Sequence, residues 1–413
     1  MKGWLLLGCW LLLAGCAGVG EPQSAGQLAY IGGDGNVYVV SPERLEEKTA
    51  VTTDAQSARE GAGLSYHRLA WSPSGQLAYA SVVRGRETAQ GTLYLRDDPT
   101  QPARVIAQSD DHFFIYLYWS LASCTPHCSQ LAYLIEEEQD ISLRLLDVGS
   151  EPVRDVRLGT GWPFYYAWSP NGRFILAHVG REKQNDPQMR LLRFGLEPLV
   201  TTVVSDQTGD FQAPDWSAAG WAALQTHDGS VQLRMVADDG KTAVLPVDSQ
   251  RTAFNWSPNG AYLVFMEQPR CNSPCFDPIY LYDVATGETR RLIDVGLRPT
   301  AFFWSPDGKR LAYLNWVPLG NNDWAQWRVV NVVTGEDRGY KMFDPAPALR
   351  FTLNSFSQYA QSHRLWSPNG RYLTYADRDF NGNERVWLID TWAETALDPI
   401  FVDRGSLAFW SWQ

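Results

Sequence analysis

The sequence predicts an all-β chain, an eight-bladed β-propeller of four-stranded antiparallel blades whose ring is closed by pairing of the C-terminal strand with N-terminal strands. Three observations carry this expectation. A Trp-Ser pair closes a short apolar run eight times, beginning at Trp71, Trp119, Trp168, Trp216, Trp256, Trp304, Trp366 and Trp410. The intervals run from 40 to 62 residues and four of them are 48 or 49, the period of a repeated supersecondary unit. Each pair is followed by strand-like runs divided by turn residues, giving four strands per unit, and the two ends of the chain hold complementary pieces of one unit.

Within a unit, four pairs continue as Trp-Ser-Pro-Asn/Asp-Gly, at Trp168, Trp256, Trp304 and Trp366, and Trp71 to Gly75 is a close copy. A capping hydroxyl, a preset φ and a residue tolerant of positive φ make a tight turn. The pair therefore ends an innermost strand and opens a hairpin. The returning strand reads Leu77-Ala78-Tyr79, Leu131-Ala132-Tyr133 and Leu311-Ala312-Tyr313; third strands such as Ile279 to Val284 and fourth strands such as Thr289 to Ile293 follow. A flat indole at the same height in every unit fills the gap between blades that cannot bury both faces alone, so the repeat tryptophans read as core. The chain ends on Phe409-Trp410-Ser411-Trp412-Gln413, an innermost strand with nothing after it. Its N-terminal strands, from Gly26 through Asn36 to Val40 and Thr49 to Thr53, have no Trp-Ser strand before them. Together they make one blade without an open edge. Seven blades is the alternative, because the Trp216 unit is short and its turn, Ser217-Ala218-Ala219-Gly220, departs from the pattern.

The first residues form an address. Met1-Lys2 precedes an apolar run from Trp4 to Leu13, too short to span a bilayer. Leu13-Ala14-Gly15-Cys16 resembles the bacterial lipobox, so residues 1–15 are expected to be a lipoprotein signal peptide, Cys16 the lipidated residue and 16–25 a flexible tether. Residues 26–413 then form a single propeller domain. Acyl chains on Cys16 anchor the chain to a membrane. With two membranes, Ala17 after the cysteine resembles lipoproteins of the outer membrane, facing the periplasm. With one, the protein sits on the outer face of the plasma membrane. A net charge of -11 speaks against nucleic acid, whose phosphates need a basic surface. Four further cysteines form two C-x-x-x-C pairs, Cys124 with Cys128 and Cys271 with Cys275. In an exported chain these read as local disulfides, on opposite rims and three blades apart. His127 beside Cys128 raises a zinc site, which three ligands in an oxidising compartment do not favour.

Trp304-Ser-Pro-Asp-Gly-Lys-Arg-Leu-Ala-Tyr313 and Tyr282-Asp-Val-Ala-Thr-Gly-Glu288 closely resemble the repeat of the TolB-like (WD40-like repeat) propellers, which is also found in the propellers of the dipeptidyl and oligopeptidases. Asp377-Arg378-Asp379 with Gly382-Asn383-Glu384 is similar to that family's hairpin between second and third strands. The resemblance covers residues 26–413 and implies the fold. It departs from TolB, which has an α/β domain before its propeller, and from the peptidases, since the chain lacks a G-x-S-x-G nucleophile elbow. Asp377, Asp379, Asn381 and Gly382 also match the opening of a calcium loop, but Leu388 stands where a bidentate Glu is needed, and the family hairpin accounts for them. No phosphate loop opens a helix and no H-E-x-x-H occurs, so neither cofactor nor metal is expected.

Function is accordingly sought on the rims. Loops joining second to third strands and fourth to the next first strand share one rim, and the Trp304 unit enlarges both, through Trp316 to Trp327 and through Phe343 to Ser362. Trp316, Trp324 and Trp327 are candidate binding residues; the competing reading is that Trp316, Trp324, Phe351, Phe356 and Tyr359 pack on each other as a small satellite core. Arg68, His112, Arg251, Arg298, His363 and Arg364, with His67 and Arg404, lie on the approaches to the innermost strands. If the ring closes they converge on the mouth of the central channel as a basic funnel for acidic ligands, unless interleaved aspartates pair with them. The expected function is a non-catalytic, monomeric cell-envelope lipoprotein whose propeller binds a protein or ligand. The alternative is an enzyme or binding protein acting on envelope or extracellular polysaccharide.

Overall fold

The computed structural model describes residues 24–413 apart from 57–62, 85–88, 100, 123–128, 138–139, 181–189, 210–211, 250, 268–277, 294–295, 320–321 and 396–397. Cys16, the leader, and all four cysteines of the C-x-x-x-C pairs lie outside the described residues. The connections that carry those pairs do leave opposite ends of their blades, one between first and second strands (Phe114–Trp119 and Gln130–Glu137), the other between second and third (Tyr262–Glu267 and Tyr280–Asp283).

The turns follow from the repeated residues. In the Trp168 unit, the Ser169 hydroxyl donates to Asn171 at 2.8 Å and accepts from the Phe174 amide at 2.9 Å, while Asn171 accepts from the Arg173 amide at 3.0 Å. Gly172 closes the turn at φ 67°, a conformation glycine adopts without a Cβ penalty. The same bonds recur at Ser257, Ser305 and Ser367. Each seryl hydroxyl thus satisfies backbone that would otherwise be left open where the innermost strand ends.

The sheets form a ring of seven blades, not eight. Six are four-stranded antiparallel sheets, beginning with the innermost strands that carry Trp71, Trp119, Trp168, Trp216, Trp256 and Trp304. The seventh has six strands in the order Tyr372–Arg378, Glu384–Asp390, Ile400–Trp410, Leu28–Gly32, Val37–Val40, Thr49–Ala50. The Trp366 and Trp410 units are merged in it, for two reasons. The chain reaches Trp366 from a helical segment, leaving only bridges from Arg364 to Trp410 and from Trp366 to Leu373 as an innermost strand. Ile400–Trp410 also runs on without a turn: its first half pairs with Glu384–Asp390 and its second with Leu28–Gly32. Gly405 sits where the partner changes, and a Cβ there would stand 2.4 Å from the Ile31 carbonyl oxygen.

This seam is the expected closure, since Leu28, Ala29 and Tyr30 pair with Trp410, Phe409 and Ala408. Gln27 donates its amide to the Ser411 hydroxyl at 2.9 Å, and the Ser411 amide donates back to the Gln27 carbonyl at 2.8 Å. The Tyr30 hydroxyl donates to Asp403 at 2.8 Å.

The repeat tryptophans are buried except Trp216, which is half-buried. They do more than occupy space. The indole N–H of Trp119 donates to the Ala70 carbonyl at 3.0 Å, that of Trp168 to Tyr118 at 3.0 Å, that of Trp304 to Asn255 at 3.3 Å, that of Trp366 to Phe303 at 3.1 Å, and that of Trp71 to Phe409 at 3.2 Å. In each case the acceptor is the residue before the tryptophan of the preceding unit. The pattern breaks at Trp410, whose indole N–H has no partner among the described residues, and at the short Trp216 unit, where Asp215 joins the blades instead. Its carboxylate accepts from the Trp256 amide at 2.6 Å, from Asn255 Nδ2 at 2.8 Å and from the Trp216 amide at 2.7 Å. Burial pushes the carboxyl pKa up to about 6 despite these three donors.

Two outcomes are expected. Removing 405–413 deletes the strand half that holds the N-terminal strands, and should lower the melting temperature of the whole domain rather than of one blade. For Asp215, a folded pKa above the unfolded one means that stability is fully present below about pH 4. It is lost as the pH rises through about 6, by roughly 3 kcal/mol for two pKa units. Urea unfolding between pH 4 and 6 should show this decline, and Asp215→Asn should flatten it.

Candidate functional site

The helical segment follows the outer strand of the Trp304 blade. Helix α1 (Pro347–Asn354) starts on a proline, whose missing N–H costs nothing in the first turn, and helix α2 (Phe356–Ser362) follows after Ser355. Together they plug the mouth of the central channel. Nearly every side chain of α2 is buried, as expected of a helix surrounded by protein. Phe356 packs edge-on to Phe302, with centroids 4.9 Å apart, and Tyr359 packs edge-on to Tyr116 at 5.3 Å. Gln358 acts as one more residue of the inner ladder. Its Oε1 accepts from the Tyr166 amide at 2.8 Å and its Nε2 donates to the Tyr166 carbonyl at 2.6 Å. Gln361 donates to the Pro214 carbonyl at 2.8 Å.

The plug decides the fate of the basic funnel. Closure of the ring does not bring the six candidates together, because α1 and α2 occupy the space between them. His363 is buried: the Ser362 hydroxyl lies 2.6 Å from its Nδ1, and Phe409 packs against the ring with centroids 4.6 Å apart. Burial, opposed by a backbone hydrogen bond at Leu69 and aided by nearby Arg68, lowers its pKa to about 3, so the imidazole is neutral at ordinary pH. Arg364 lies 4.0 Å over the Trp412 ring, and burial lowers its pKa to about 10. His112 pairs with Asp111 at 3.5 Å on the connection between the Trp71 and Trp119 blades. Arg68 lies under α1, with its guanidinium 5.0 Å over Phe351. Arg251 and Arg298 line two separate clefts on the plugged rim.

The tryptophans of the enlarged loop also part company. Trp316 to Trp327 is mostly a hairpin, with Arg310–Leu319 and Asn322–Asn331 paired along their whole length. Trp327 pairs with Leu314 inside the blade and is fully buried, edge-on to Phe303. Trp316 and Trp324 are half-buried further out. Trp316 lies 5.5 Å from the Arg350 guanidinium, and Trp324 meets Phe380 edge-on at 6.3 Å. Of the five aromatics that might have formed a satellite core, Phe356 and Tyr359 instead join the main one.

Between this hairpin and the Asp379 turn of the closing blade opens a cleft of about 1350 Å³. Its floor is a lattice of charged pairs. Arg378 donates to Asp344 Oδ2 at 3.1 and 2.9 Å, and Arg350 to its Oδ1 at 2.5 Å. Burial alone would raise the Asp344 pKa, but these two arginines hold it below the usual carboxylate range. Asp377 accepts from Arg385 at 2.9 and 2.7 Å and from the Trp387 indole at 2.8 Å. Asp379, of the calcium-like stretch, accepts from the Asn381 and Asn383 amides, both at 2.9 Å, which shape the turn. Phe380, at the tip of that turn, is 97% exposed. Among the described residues no group of three His, Cys, Asp or Glu side chains could hold a metal, and no helix is long and apolar enough to cross a membrane.

Three contributors escape a reading by strand repeats: Gln358, Arg350 and Phe380. For the first two a signal exists, since Leu349, Thr352, Leu353, Phe356 and Tyr359 recur at helical spacing. Phe380 sits in an ordinary hairpin turn and has none. Gln358→Ala would leave the Tyr166 N–H and C=O buried and unpaired, and should cost roughly 2 kcal/mol or more in urea unfolding. Trp324→Ala, by contrast, should stay within about 1 kcal/mol of the wild type.

No family model matches the chain, and no curated protein sequence does. Many solved structures are similar. A prolyl endopeptidase has a TM-score of 0.54 and 9% identity over 84% of this chain and 50% of that one. Prolyl oligopeptidase B from Galerina marginata has a TM-score of 0.52 and 12% identity over 85% and 52%, so the chain spans about half the length of these peptidases. TolB from Acinetobacter baumannii has a TM-score of 0.41 and 16% identity over 78% and 81%. The likeness to the two peptidases is one of fold, a β-propeller.

Proposed function

We propose that the chain is an exported, lipid-anchored propeller that works as a non-catalytic binding scaffold, and that it takes a protein partner in the cleft between the Trp316–Trp324 hairpin and the Phe380 turn. One observation carries this reading. Trp316, Trp324 and Phe380 stand over a floor of arginines already oriented by Asp344 and Asp377. Tryptophan and arginine are the side chains that dominate the energy of protein interfaces, and aromatics are enriched at their centres. The anchor is read from Leu13 to Cys16, and places the rim on the outer side of a membrane. Paired carboxylates are poor general acids and bases, which supports a binding role over a catalytic one. A polysaccharide stacked on Trp316 and Trp324 is the competing occupant.

The test uses the anchored protein in its own cells. Photocrosslinkers placed at Leu319 and Trp392, the first beside the cleft and the second remote from it, should give one protein adduct at the first position only. Trp324→Ala with Phe380→Ala should abolish that adduct while leaving the melting temperature unchanged. Loss of the adduct after glycosidase treatment would instead identify a polysaccharide, and an adduct indifferent to both substitutions would refute the cleft.

A further inference from the structure

The two helices do not fill the channel mouth evenly. On one side α2 is bonded tightly to the inner strands. Under α1, against the Trp71 and Trp119 blades and the closing strand, a cavity of about 180 Å³ remains. Phe351, Tyr359 and Phe409 wall it, Thr352 and the neutral His363 border it, and Arg68 enters it.

Arg68 is placed there by a local departure from the blade pattern. The register between the first two strands of the Trp71 blade shifts between His67 and Ala70, and Arg68 has φ 58°. A bulge re-aims a side chain, and a non-glycine residue in the left-handed region is strained. Such a conformation persists where the surroundings impose it, and it is enriched at ligand sites. The Arg68 Nε is buried and has no hydrogen-bond partner among the described residues. A guanidinium does not shed its proton, and a buried donor without an acceptor is costly. The cavity is therefore edged by the Arg68 guanidinium, set among aromatic walls.

We propose that this cavity is a binding site for a small organic monocarboxylate, with the carboxylate on Arg68 and the apolar body against Phe351, Tyr359 and Phe409. The planar guanidinium fork matches a carboxylate in geometry and charge. Size sets the rest of the ligand: an apolar cavity of about 150 Å³ accepts benzene, so this one admits a single ring or a short chain beside the carboxylate. An inorganic anion would leave the aromatic walls uncovered. Phe351 is 45% exposed and forms the outer wall, which gives the ligand a way in from the rim. A bound carboxylate would touch both α1 and the inner strands and so hold the plug in place. The site is separate from the rim cleft and does not rest on the function proposed for it.

Benzoate and its neutral isostere benzamide are the probes, applied to the full chain in detergent by thermal melting and calorimetric titration. Benzoate should raise the melting temperature in a saturable way, since a ligand of the folded state stabilises it. Benzamide should bind at least about tenfold more weakly, the loss of one charge-assisted contact. Arg68→Met, which keeps length and removes charge, should abolish the benzoate shift. Equal binding of the two probes, no shift at about 20 mM benzoate, or undiminished affinity in Arg68→Met would each overturn the proposal. If that variant does not fold, Ala348→Leu decides. It fills the cavity from α1 while leaving Arg68, and should lose the benzoate shift; a retained shift would overturn the proposal.

Discussion

The indole N–H of one repeat tryptophan, donating to the main chain one residue before the previous tryptophan, is the step on which the ring is built. Each sheet is apolar on both faces and marginal alone, and the hydrogen bond sets the height and angle at which the next sheet stacks. The bond is buried, so a missed register would leave a donor and an acceptor without water. It therefore specifies alignment more than it adds attraction. Where the sequence shortens to the Trp216 unit, Asp215 spans the same gap with a carboxylate, and the Trp256 indole is left without an acceptor. The substitution keeps the blades joined but makes one joint sensitive to protonation.

What could be read from residues alone was the local part. The Trp-Ser-Pro-Asn-Gly turn is legible because its bonds lie within five residues, and the closure is legible because both ends lack what the other supplies. The blade count is a different matter. Gly405 allows the Ile31 carbonyl to come close enough for one strand to serve both units. No sequence pattern records whether a strand stops between two sheets. The basic funnel is a similar case. Its members lie on the approaches to the inner strands, but helices α1 and α2 stand between them.

Trp316, Trp324 and Trp327 show how position along a hairpin separates roles within one short stretch. Trp327 pairs with Leu314 inside the sheet and belongs to the core, while its neighbours lie beyond the edge of the blade and face the cleft. Within the cleft, Asp344 and Asp377 each hold arginines in place. Side chains held in this way lose little freedom when a partner arrives, which favours affinity without a large exposed apolar patch.

The channel plug has a consequence for anything that approaches that mouth. Because α1 and α2 are joined to their blades at both ends, they occupy the channel as a ligand already tethered would, at an effective concentration on the order of millimolar or above. A free molecule must outcompete that tether, whereas one that uses a gap left by the tether need not. The same chain continuity that threads the plug between two blades thus also decides which ligands can reach the axis.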